Sequence, residues 1–149
     1  IRCKENIVNA DGAVTKNILR VVPLMLNFSA ASAAKFSLIK NVSGLVISGA
    51  IVDATTSGNY WTSAAQLSAI EYNTTATGIV GGETVSTFFA GAADGQNLEL
   101  QEIFRYNREF LTRPISNEAG ESGDVLTLVV ESIAASGNAV AGSLTWGER

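Results

Sequence analysis

Catalysis in this chain would have to come from carboxylates, because the other usual groups are missing. The 149 residues contain no histidine and one cysteine, Cys3. That removes Ser-His-Asp and Cys-His nucleophilic arrangements and every histidine-containing zinc site. It also removes an intrachain disulfide and leaves Cys3 only an interchain one. Glu99 and Glu102 would share a helix face, and Glu118 and Glu121 fall in one polar stretch. Glycan-cleaving enzymes need two carboxylates, one of them with a raised pKa. Neither segment offers an apolar pocket that would raise one, so both pairs read as solvated surface charge. Asn9, Asp11, Asp53 and Asp94 could offer oxygen to calcium, but without the alternating acidic spacing of a dedicated loop. Asn9-Ala10-Asp11-Gly12 is better explained as a turn. Gly81-Gly82 lacks the lysine and the following helix of a phosphate loop. The sequence therefore predicts no enzyme, no cofactor site and no metal site.

Binding is the better supported kind of chemistry. In the stretch 104–113, Arg105, Tyr106, Arg108 and Arg113 are of the residue types enriched in binding hot spots. They form a candidate interface with a neighbouring subunit. The competing reading places Phe104, Phe110 and Leu111 in the core with the arginines reaching outward. Tyr60 and Trp61 follow a Gly-Asn turn and form a candidate glycan contact; alternatively Trp61 caps one end of the core. Lys and Arg number 10 against 14 Asp and Glu, a net charge of -4 that repels phosphate and argues against nucleic acid. No apolar run approaches the ~18 residues of a membrane span. The longest, 21–26, is strand-sized and contains Pro23. Asn27-Phe28-Ser29, Asn41-Val42-Ser43 and Asn73-Thr74-Thr75 match the glycosylation pattern, which a chain rich in Ser and Thr produces by chance.

Turn signals every 8–15 residues, separated by segments rich in Val, Ile, Leu, Thr and Phe, predict an all-β antiparallel sandwich with at most one or two short helices. The helices would lie in 63–70 or 98–112, where propensity and the Arg105–Glu109 spacing favour them. Residues 14–29 read as one long strand or as two broken at Pro23. Gly44 and Gly49 invite a bulge or a tight turn. The clearest hairpin joins 125–133 to 140–146 through Ala135-Ser136-Gly137-Asn138. Alternation places Phe36, Leu38, Phe88, Leu126, Leu128, Leu144 and Trp146 in the core. The apolar content of 46% and the length fit one sandwich domain, 11–149, preceded by an N-terminal arm, 1–10. Ile7, Val8 and Val14 would let that arm add a strand to a neighbour.

Three stretches together carry a resemblance. They are 6–19 (NIVNADGAVTKNIL), 70–77 with Gly81-Gly82-Glu83 and Ser86-Thr87-Phe88-Phe89, and 123–129 with the closing Ala141-Gly142-Ser143-Leu144-Thr145-Trp146-Gly147-Glu148. The chain resembles small β-rich structural proteins of tailed bacteriophage virions, which occur as fibre tips or head decorations. The resemblance implies a jelly-roll-like sandwich, often a homotrimer, with no catalytic site and a place on the virion. Its partners would be copies of itself, other virion proteins and a host surface glycan. A rival expectation is an extracellular pilus or filament subunit joined by donor-strand exchange, which low charge and abundant Thr, Ala and Gly fit equally. A small carbohydrate-binding module would need Tyr60 and Trp61 exposed.

Overall fold

The computed structural model describes residues 1–3, 7–8, 14–15, 21–54, 60–64, 70–92, 94–100, 124–133 and 138–148. Every element among them is a β-strand, and every pairing is antiparallel. The expected helices lie largely outside the described residues. Leu98 belongs to a strand, as do Ser63 and Ile70 at the two ends of the other candidate, whereas Leu100 is helical.

Two three-stranded sheets form an antiparallel sandwich. One is built on β4 (Val21–Ala30), flanked by β12 (Asp94–Glu99) and β14 (Val140–Glu148). The other is built on β5 (Ala34–Lys40), flanked by β11 (Glu83–Ala90) and β13 (Leu126–Ser132). Each strand of the first sheet is joined in sequence to a strand of the second. The chain thus forms three stacked arches, β4–β5, β11–β12 and β13–β14, which gives the jelly-roll-like character. Small residues allow the sharp crossings, as in Ala30-Ala31-Ser32-Ala33-Ala34. At the stacked corners Ala31 N–H donates to Ala139 O (2.8 Å) and Ile133 N–H to Ala33 O (3.0 Å). The Asn138 side chain clamps them further. Its Oδ1 accepts from Ser32 N–H at 2.8 Å, and its Nδ2 donates to Ser32 O at 2.9 Å.

The expected hairpin of 125–133 with 140–146 is therefore corrected to an arch. β13 pairs with β5 and β14 pairs with β4, not with each other. Alternating apolar runs around a small polar connection look the same in both cases. In a hairpin the apolar sides share one sheet face; in an arch they face each other across a core. Here that core joins Leu26, Phe28, Phe36 and Leu38, all buried, with the Phe28 and Phe36 ring centroids 4.6 Å apart.

Pro23 does not end a strand. It lies inside β4 opposite Trp146, at a bulge in the β14 register, where its missing N–H is tolerated. Gly49 does make a tight turn. Ser48 (φ 51) and Gly49 (φ 80) join β6 (Gly44–Ile47) to β7 (Ala50–Asp53), with the two positive dihedrals that a two-residue hairpin turn needs. β6 also pairs with β10 (Gly78–Val80), and this smaller sheet packs a second core of Val42, Leu45, Ala54 and Val125.

Parts of the segment 1–10 also have pairings within the chain. Ile1 exchanges backbone hydrogen bonds with Leu126, and β1 (Arg2–Cys3) pairs with β9 (Ile70–Tyr72), which also pairs with β8 (Thr62–Ser63). The first three residues are thus part of the fold. β2 (Ile7–Val8) pairs with β3 (Val14–Thr15), so those residues have a partner within the chain.

Candidate functional site

The sandwich has two sides, and they differ. On one side run the edges of β11 and β12; on the other run those of β13 and β14. Between β13 and β14 opens a groove of about 710 Å³. One wall carries Leu126, Leu128 and Val130, a second Leu144 and Trp146, and a third is formed by residues of the run 72–79 together with Leu45 and Trp61. Leu126, Leu128, Val130 and Leu144 pack against the buried core, yet each is only half-buried.

The backbone at these edges is oriented by its own hydrogen bonds. Leu126 N–H donates to Ile1 O at 2.8 Å, and the Ile1 amino group donates to Leu126 O at 2.7 Å. Leu126 therefore turns its backbone away from β5. Strand alternation makes Leu128 and Val130 do the same. On β14 the bond from Ala31 to Ala139 sets the phase, so Val140, Gly142 and Leu144 turn their N–H and C=O away from β4. Among the described residues, no strand pairs with β14 on that side or with β13 beyond Leu126. The residues that supply apolar side chains to the groove are thus the ones whose polar backbone groups face the open edge.

No charged side chain lines the groove among the described residues. Its one ionisable amine belongs to Ile1, where burial pushes the pKa down to about 6. Asn73 is engaged locally. Its Nδ2 donates to Tyr60 O at 2.6 Å, and its Oδ1 accepts from Thr75 N–H at 3.0 Å and Ala76 N–H at 2.9 Å. Among the described residues the site thus offers apolar surface and, at Leu128, Val130, Val140, Gly142 and Leu144, backbone groups turned toward the groove edge. Both are suited to an extended polypeptide rather than to acid–base chemistry. Among the described residues no group of three or more acidic or cysteine side chains is placed to hold a metal ion. Asp53 and Asp94 lie in different sheets, and Asn9 and Asp11 fall outside the described residues.

The residues expected to bind are placed as follows. Tyr60 is exposed, whereas Trp61 is half-buried against the second core and also reaches the groove. Arg105, Tyr106, Arg108 and Arg113 lie outside the described residues, as do the side chains of Ile7, Val8 and Val14. Leu128 and Leu144, expected in the core, turn out to be groove walls. A sequence signal for this existed in the absence of any charge or proline across 140–147. The clamp at Asn138 had no such signal beyond its place in a turn. Comparison with known protein families, characterised proteins and solved structures finds no match for this chain.

Proposed function

We propose that the protein is a non-enzymatic structural subunit of a tailed-phage virion surface, as a head decoration or a tail-fibre element. It works through contacts with copies of itself in a symmetric homo-oligomer, a trimer by resemblance, and with other virion proteins. The observation that carries a structural role is the uncharged groove between two open strand edges. Such an edge recruits another strand unless it is defended, and interface cores are depleted in charge. The phage setting rests on the resemblance of the three stretches quoted above.

The same groove favours a second reading. A sandwich with an apolar gap at its edge is what donor-strand exchange requires of a filament subunit. Immunogold electron microscopy separates the two. Antibody against the purified chain is expected to label phage particles at a fixed position. Label confined to cell-surface filaments would replace the virion reading with the filament one, and label on neither would remove both.

A further inference from the structure

We infer that the occupant of the groove edge is a second copy of this chain, the two β14 strands pairing antiparallel about a two-fold axis near Gly142. The inference deepens the structural reading above by naming the partner of the same site.

The two sides of the sandwich are defended differently. β11 carries Glu83 and a bulge between Thr84 and Ser86, and β12 carries Asp94 and Glu99. Charges and bulges of this kind are how natural sheets block further pairing. β14 has its charge, Glu148, and its bulge, between Thr145 and Trp146, at one end only; across 140–144 it has neither charge nor proline and its ladder is regular. β13 carries a single charge, Glu131.

The net charge of -4 makes copies of this chain repel one another, so self-contact is favoured where charge is absent. The β14 edge is such a strip. An antiparallel edge is also self-complementary, because a two-fold axis pairs every outward N–H with an outward C=O. With the axis at Gly142, Val140 pairs with Leu144 of the other copy, and Ala141 stands opposite Ser143. Gly142 turns its backbone to the open edge, while the Cβ it lacks would point inward and meet Leu128 Cδ2 at 3.0 Å. The seam would extend the β12-β4-β14 sheet across both copies and bring the two grooves together, covering Leu128, Leu144 and Trp146. A two-fold seam and a three-fold contact would use different surfaces and can coexist in one assembly.

The test is sedimentation equilibrium of the full chain over a wide concentration range. The expected result is a dimer or an even-numbered multiple. Ala141→Lys, on the exposed outer side of the strand, should weaken association roughly tenfold or more by placing a charge at the seam. Adding Ser143→Glu to it should restore association, because the introduced ammonium of one copy then faces the introduced carboxylate of the other. Hydrogen exchange at Gly142 and Leu144 should slow as concentration rises. A monomer at all concentrations, or an odd-numbered oligomer, overturns the inference. So does association that ignores Ala141→Lys, or protection at those amides that is independent of concentration. The last result would mean that the chain covers its own edge. Self-association by this seam without label on phage particles would fail the location and keep the seam; labelled particles with a monomeric chain would do the reverse.

Discussion

Leu38 and Leu128 are the same residue type, face the same core and sit directly opposite each other in the β5–β13 ladder. Leu38 is fully buried, and Leu128 is only half-buried. The difference comes from strand order. Among the described residues β5 has a neighbouring strand on each side, whereas β13 has one, with Ile1 alone bonding its other edge at Leu126. Alternation along a strand tells which face a side chain takes, but coverage also needs neighbours within the sheet. The contrast runs through the whole sandwich. Leu26 and Phe28 on central β4 are buried, while Leu144 on edge β14 lines the groove.

The largest expected effect tests this contrast directly. Leu38→Ala should destabilise the protein by about 2–5 kcal/mol, as for a fully enclosed leucine. Leu128→Ala should cost clearly less, measured by urea unfolding at low protein concentration. Equal losses would mean that the groove wall is as enclosed as the centre, and the contrast would fail.

Next in size is Gly82→Ala, between β10 and β11. Gly82 has φ 97, and an added Cβ would lie 2.6 Å from Ile39 Cγ2 and 2.9 Å from Val42 Cγ1. Backbone strain alone should cost about 1–3 kcal/mol, with crowding against the second core added. A neutral result in thermal unfolding would show that the link between the smaller sheet and the sandwich can shift freely.

Asn138→Ala should follow, at about 1–2 kcal/mol for the unsatisfied backbone groups of the corner. Asn138→Asp keeps the acceptor for Ser32 N–H but loses the donor to Ser32 O, so it should do no better. If Asn138→Asp matched the wild type in urea titration, the corner would not depend on the side-chain amide.

Sequence reasoning reached the fold class because it depends on local period. Leu26 and Phe28 against Met25 and Asn27, or Phe36 and Leu38, already state a strand with one buried face. Pairing was not legible in the same way. Whether 125–133 returns beside 140–146 or crosses to another sheet is decided by β4 and β5, more than 80 residues earlier in the chain. The groove was half-legible. Its apolar walls were visible as predicted core, but which strands lie at an edge is a property of sheet order. No single segment encodes it.

The smallest expected effect concerns two ion pairs, one at each end of the β5–β13 ladder. Lys35–Glu131 is the shorter at 2.8 Å, but its side chains are 36% and 60% exposed. Lys40–Asp124 is 3.2 Å long and only 13% and 29% exposed. Burial should decide over distance, because water and salt screen an exposed pair. Glu131→Gln should therefore change stability by less than about 0.5 kcal/mol. Adding about 1 M salt should erase even that, since the screening length falls to ~3 Å. Asp124→Asn should cost more and keep most of its effect in salt. Urea titrations of both variants at low and high salt would measure the four values. Glu131 is the only charge on β13, so its behaviour reports directly on the open edge. If Glu131→Gln were as costly as Asp124→Asn in high salt and at low protein concentration, the edge would already be shielded within one chain, and the contrast between central and edge strands would not hold at that end of the sheet.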